Sequence, residues 1–181
     1  MAKGIGGHQR AYRGHSDEWL TPPAIIDALG PFDLDPCSPV HRPWDTAKLH
    51  YTIEDDGLAK PWGDNRVFMN PPYGPETGKW LEKLANHGNG IALIFARTET
   101  EIFHRWVWQR ADAILFLRGR LYFHKISGER GRSNAGGPSA LIAYNPANAD
   151  KLRTCGIAGH FVDLQGRMSK SSNSNASGFL S

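Results

Sequence analysis

RVFMNPPYG, residues 66–74, is the stretch that decides the fold. Its first four residues read as a short strand, apolar after Arg66, and the strand must stop at Asn70, because Pro71 and Pro72 carry no N–H and cannot extend a ladder. A short buried strand that ends in a rigid polar turn fits an open α/β sheet, where ligands are held by loops at the C-terminal ends of strands. Asn70, Pro71, Pro72 and Tyr73 are therefore the first candidate functional residues. Alone, the same four residues also suit a proline-rich turn with Tyr73 as packing, so the flanking sequence has to arbitrate.

Downstream, residues 80–86 have a helical pattern, and residues 90–96 (GIALIFA) are an apolar run of the kind that forms a buried parallel strand. Residues 98–110 then read as a helix with Ile102, Phe103, Trp106 and Val107 on one face. Upstream, Thr21-Pro22-Pro23 before AIIDAL marks a helix start, Gly30-Pro31 a stop, and residues 32–35 (FDLD) a short strand. Strand and helix alternate, which predicts an α/β fold. Two further strands are expected at residues 113–117 (AILFL) and 139–144 (SALIAY), separated by a polar stretch that no helix fits. Consecutive strands joined by a loop alone predict an antiparallel hairpin at the edge of a mostly parallel sheet.

The composition sets outer bounds. With 181 residues, 40% of them hydrophobic, the chain suits one catalytic unit with a real core. Three parts are expected: a flexible N-terminal tail over residues 1–16, a domain over 17–165, and a Ser/Asn-rich flexible C-terminal tail over 166–181. The formal charge of +3 suits a polyanionic partner without requiring one. Cys37 and Cys155 lie far apart and outside any CxxC spacing, which disfavours a disulfide framework or a zinc site and suits a reducing compartment. His41, His50, His87, His104, His124 and His160 show no metal-ligand spacing, and no apolar stretch reaches the roughly 20 residues of a membrane span.

Several motifs in a fixed order carry a resemblance. Over residues 17–146 the sequence resembles the phage-type DNA N6-adenine methyltransferases. Within it, residues 17–23 (DEWLTPP) resemble a cofactor motif in which Thr21 and Pro22 hold the methionine end of S-adenosylmethionine. Residues 32–37 (FDLDPC) look like the end of the first strand, with Asp35, followed by Pro36, near the cofactor's amino group. Asp56-Gly57-Leu58, with Trp62 after it, resembles the motif whose aspartate accepts a hydrogen bond from the cofactor adenine, although Asp55 competes for that place. Asn70, Pro71, Pro72 and Tyr73 match the catalytic motif, with Asn70 also against the cofactor. Residues 120–123 (RLYF) resemble the segment that supplies an aromatic partner for a flipped base, either Phe123 or Tyr122. The resemblance implies an abbreviated Rossmann-like methyltransferase fold, S-adenosylmethionine as cofactor, DNA as partner, and a cytoplasmic setting in a bacterial host or a phage-infected cell.

The chemistry explains those residue types. The N6 amine of adenine is a poor nucleophile because its lone pair is delocalised into the ring. An asparagine side-chain oxygen and a proline carbonyl can both accept hydrogen bonds from its N–H groups and draw the nitrogen toward a tetrahedral shape. A tyrosine next to them can stack on a base taken out of the duplex.

The chain departs from the wider family in one place. Ser38-Pro39-Val40-His41 stands where a glycine-rich loop is usual, and Asp35 and Asp56 are closer than the helices and strand that usually separate them allow, since one βαβ crossover takes about 30 residues. This predicts an abbreviated sheet and leaves Asp45 and Glu54 as candidates for the ribose hydroxyls. Residues 118–138 hold Arg118, Arg120, Lys125, Arg130 and Arg132 against the single Glu129, loosened by Gly128, Gly131, Gly136 and Gly137. That composition predicts a DNA arm, with Arg130 and Arg132 on phosphates, or else a solvated loop. The competing functions are methylation of RNA or of a protein glutamine amide, and a DNA-binding module without catalysis.

Overall fold

The computed structural model describes residues 19–167. Asp17, Glu18 and nearly all of both expected tails fall outside that range. The elements in chain order are α1 (Pro23–Leu29), β1 (Leu34–Asp35), β2 (Leu49–His50), β3 (Val67–Met69), α2 (Thr77–His87), β4 (Gly90–Phe95), α3 (Glu101–Phe103) running into a π-helical turn (His104–Trp108), β5 (Ala113–Leu117), β6 (Ser139–Tyr144), α4 (Pro146–Thr154) and β7 (Gly159–Asp163), closed by a 3₁₀ turn (Gln165–Arg167).

The strands form a single sheet in the order β2-β1-β3-β4-β6-β5-β7. From β2 to β4 every pairing is parallel, and from β4 to β7 every pairing is antiparallel. Since β6 opposes both β4 and β5, β5 runs in the sense of β4, and only β6 and β7 run the other way. The expectation of an α/β fold is met. The expected edge hairpin is corrected: β5 and β6 pair antiparallel, but β6 is inserted beside β4 and β7 covers the outer side of β5. All six residues of SALIAY are buried, because both faces of the sheet are covered at this strand: Ala140, Ile142 and Tyr144 enter one core and Leu141 and Ala143 the other. The true edge, β7 (GHFVD), is exposed or half-buried throughout, as edge strands are.

Side-chain alternation along the strands feeds two cores. Val67, Met69, Ala92 and Ile94 point to the face covered by α2 and the π-helical turn, while Phe68, Ile91 and Leu93 point to the face covered by α1 and α4. The helix expected over residues 98–110 is broken into α3 and the π-helical turn, starting at Thr100, whose hydroxyl accepts from the Phe103 N–H at 3.3 Å. Phe103, Trp106 and Val107 enter the core, but Ile102 stays 36% exposed, because the wider turn changes the phase of the helix.

The abbreviation predicted between Asp35 and Asp56 is present. β1 and β2 are adjacent and parallel, yet residues 36–48 contain no helix. The crossover is held by backbone bonds instead, from Tyr51 N–H to the Asp35 carbonyl at 2.9 Å and from Ser38 N–H to the Tyr51 carbonyl at 2.9 Å.

Candidate functional site

Three neighbouring parallel strands, β2, β1 and β3, send their C-terminal loops to the same edge of the sheet. Those loops carry Thr52 to Gly57, Pro36 to Thr46, and Asn70 to Tyr73. Together with residues 19–21 they enclose a cleft of about 830 Å³, within the range of small-molecule sites. Thr21, Asp35, Pro36, Asp56, Asn70, Pro71, Pro72 and Tyr73 all line it. Pro22 does not. It caps α1, and its carbonyl accepts from Ile25 N–H at 3.0 Å.

Asp35 forms the floor. Only 4% exposed, it accepts from the Cys37 N–H at 3.2 Å and from the Thr46 hydroxyl. Burial disfavours its charge more than those bonds and nearby Arg42 favour it, so its pKa is raised to about 6. Arg42 also lines the cleft, and its guanidinium donates to the Asp45 carboxylate at 3.3 Å and to the Pro39 carbonyl at 3.2 Å. Asp45 and Glu54, the candidates for the ribose hydroxyls, are exposed and absent from the lining.

The choice between Asp55 and Asp56 has a structural answer in hydrogen bonds. Asp55 accepts from the Thr52 N–H at 2.9 Å, the Thr52 hydroxyl at 3.2 Å and the Lys60 ammonium at 2.6 Å. Those bonds, led by the one from Lys60, hold its pKa down to about 2 and keep its carboxylate in the turn. Asp56 has φ +53° and lines the cleft, and its carboxylate accepts only a 3.3 Å bond from the Ala59 N–H. Gly57 follows because the backbone here runs against β1: a Cβ at this position would collide with the Pro36 carbonyl. Lys83 of α2 fixes the turn from behind, donating to the carbonyls of Gly57, Leu58 and Lys60 at 3.1, 2.7 and 2.6 Å.

The Asn70 loop is rigid for reasons beyond its prolines. The Thr77 hydroxyl donates to the Pro72 carbonyl at 2.8 Å and accepts from the Gly74 N–H at 3.1 Å. The Cys37 thiol lies 3.4 Å from the Asn70 carbonyl, which joins this loop to the one after β1. The Tyr73 hydroxyl donates to Asn70 Oδ1 at 3.3 Å, and burial pushes its pKa up.

Phe123, Arg130 and Arg132 are not in the cleft lining. Phe123 is 7% exposed and packs in the core with Ile25, Leu29 and Phe32. Residues 121–135 form a pinned hairpin rather than a loose arm, with Ala135 N–H bonded to the Leu121 carbonyl at 2.6 Å, Gly131 N–H to Phe123 at 2.7 Å and Lys125 N–H to Glu129 at 2.9 Å. Leu20 and His124 exchange two backbone bonds, at 2.8 and 3.0 Å, which set the hairpin beside the cleft. Arg130 and Arg132 are exposed, and the Arg130 guanidinium lies over the Tyr122 ring at 3.9 Å.

Sequence reasoning missed part of the lining. Trp44 closes one side and donates from its indole to the Thr21 carbonyl at 3.2 Å. Trp19 and Ile53 also line the cleft and are 46% and 88% exposed. An isolated apolar residue in a polar stretch, such as Ile53 in TIEDD, is the signal that could have found one of them.

The fold and cleft define the class first: a mixed α/β protein whose site lies at the C-terminal edge of parallel strands. The family model for DNA N-6-adenine-methyltransferase (Dam) matches residues 9–153, and the chain belongs to that family. At the level of the family it is a DNA adenine methyltransferase, with DNA as the family's substrate. No curated protein and no solved structure matches the chain. Among the described residues, no helix is long and apolar enough to cross a membrane.

Proposed function

We propose that this chain methylates N6 of adenine in DNA with S-adenosylmethionine as donor, on an abbreviated Rossmann-like methyltransferase fold. The observation that carries the reading is the convergence of Asp35, Asp56 and the Asn70 loop on one cleft. The residues present fit the cofactor by their chemistry. A buried carboxylate with a raised pKa suits a cationic amino group, and a turn carboxylate at the cleft wall suits an adenine amine. Thr21, Asp35, Pro36, Asp56 and Asn70 would hold it, with Pro22 behind Thr21. When bound, it supplies a methyl group on a sulfonium, an activated leaving group.

The protein's own residues then have simple tasks. Asn70 Oδ1 and the Pro71 carbonyl accept hydrogen bonds from the two amine N–H groups, the methylated nitrogen then losing one proton to solvent, and Pro71, Pro72 and Thr77 hold the loop still. The Tyr73 ring lies against the base. Its hydroxyl occupies Asn70 Oδ1 in the structure and gives way when the amine arrives. A base of high pKa is not required. Phe123 is embedded in the core, so its contribution as a base partner is confined to supporting Tyr122 and the hairpin. Arg130 and Arg132 face phosphates from the hairpin.

Calorimetry with S-adenosylmethionine, followed by transfer of labelled methyl to DNA, RNA and protein, tests the reading. Label on N6 of adenine in DNA is the expected result. Label only on RNA or on a glutamine amide would move the acceptor, and cofactor binding with no transfer to DNA would favour a binding module.

A further inference from the structure

The ring of Tyr73 stacks on Phe95, with centroids 4.3 Å apart and planes 18° from parallel. Tyr73 lines the cleft and Phe95 does not, so Phe95 stands behind it. Phe95 is the last residue of β4, at the same edge as the Asn70 loop, and it pairs in register with Ser139, the first residue of β6. Gly137, two residues before β6, lies against the Phe95 ring. A Cβ there would come within 3.3 Å of the Phe95 ring, so only a glycine leaves the ring unpressed. The Ala96 N–H closes the corner with a 2.8 Å bond to the Pro138 carbonyl.

We propose that Phe95 is a positioning residue: it backs the Tyr73 ring, fixes its plane, and so sets the plane in which the acceptor base is held. This rests on the function proposed above. One face of Tyr73 is taken by Phe95, so an acceptor meets the other face, and the three rings form a single stack from the cleft into the sheet. Aromatic pairs settle into offset-stacked or edge-to-face geometry and this pair takes the stacked one; an aliphatic side chain would fill the space without fixing the ring plane, which is why the support must be aromatic and not merely apolar. The same corner links the catalytic tyrosine to the basic hairpin, whose return strand passes through Gly137. A small shift in the hairpin on binding DNA therefore reaches the Tyr73 plane through one ring.

Phe95→Leu keeps the apolar volume and removes the stack; Phe95→Tyr and Phe95→Trp keep it. Methyl transfer to unmethylated genomic DNA is measured at saturating cofactor, beside cofactor affinity and thermal unfolding. Phe95→Leu should lower kcat about tenfold or more, as misplacement of a reacting group does. Cofactor affinity and melting temperature should change little, and at least one aromatic replacement should recover most of the turnover. Gly137→Ala, which presses on the Phe95 ring, should give a smaller loss in the same direction. The proposal is overturned if Phe95→Leu turns over like the wild type, or if its loss follows cofactor affinity, or if neither aromatic variant recovers. A wild type that labels RNA or protein instead of DNA defeats the DNA reading alone, since the same comparison, run on whichever acceptor is labelled, still decides the role of the stack.

Discussion

The two halves of the sheet are built from similar apolar residues and used differently. In the parallel half, β2, β1, β3 and β4 all end at one edge, so their loops converge and the polar groups there can share a cleft. In the antiparallel half, β6 and β7 run the other way, and the ends of neighbouring strands alternate. At the cleft edge this half presents the excursion between β5 and β6, which is the basic hairpin, and the short turn that enters β7 beside Leu117 and Arg118. The difference teaches that strand direction assigns the labour: parallel pairing gathers chemistry, and antiparallel pairing supplies a scaffold with one projecting arm.

The sharpest way to break this comparison is Asn70→Ala. If chemistry resides in the parallel half, turnover should fall about 100-fold or more, since an acceptor acting on the reacting amine is lost. Cofactor affinity should stay within a few-fold. Near-normal turnover by this variant would remove the Asn70 loop from the reaction.

Asp35 and Asp56 sharpen the comparison within the cleft. Asp56→Ala should weaken cofactor binding by about 1.5–3 kcal/mol, the worth of a charged hydrogen bond. Asp55→Ala should leave it nearly unchanged, because the Asp55 carboxylate is engaged by Thr52 and Lys60. The reverse pattern would place the cofactor contact one residue earlier. For Asp35 the expected signature is in pH. With its pKa raised to about 6 by burial, the carboxyl becomes neutral as pH falls through that value, and affinity for a cationic ligand should drop with it. The sign for stability is opposite: the folded state holds this proton more tightly than the unfolded chain, so stability is lost as pH rises from about 4 through about 6. Asp35→Asn should therefore melt higher than the wild type at pH 8, bind cofactor more weakly, and lose the affinity change around pH 6. A wild type whose affinity is flat between pH 5 and 8 would refute the role of the ionised carboxylate.

How far the sequence could be read follows the same division. That Asp35 and the Asn70 loop would stand at strand ends was legible because each closes or follows a short apolar strand, where local pattern determines both the strand and what it presents; Asp56 lies six residues past the part-exposed β2 and was reached only through the resemblance of its Asp-Gly-Leu motif. The place of β6 was not legible, because its pattern says only that it is buried, and the strand it pairs with is chosen by packing far along the chain. β7 was missed because an edge strand lacks the apolar signal. Trp44 and Thr46 were missed for another reason. Their roles depend on the Thr21 carbonyl and the Asp35 carboxylate, partners that a helix-free crossover brings near without a periodic pattern.

The smallest expected effect concerns the projecting arm. The hairpin leaves the sheet at the cleft edge, bonded to Leu20, with Arg130 and Arg132 exposed on it, and the proposal sets these two on the backbone of a bound duplex. Their work there would be electrostatic and independent of sequence, since arginines on phosphates position a duplex without reading its bases. Changing both to alanine should weaken binding alike at all DNA sequences and reduce the slope of log K against log salt by about 2, close to one unit per lost phosphate contact. Tyr122 complicates only one of the two, because the Arg130 guanidinium rests on its ring. If that stack holds Arg130 toward the duplex, Tyr122→Leu should lower the slope by about one unit with both arginines still present. Cofactor affinity should not move in any of these variants, as the hairpin contributes nothing to the cleft lining. Binding titrations across a series of salt concentrations check this, and an unchanged slope in the double variant would make the hairpin part of the scaffold, leaving all contact with DNA to the parallel half.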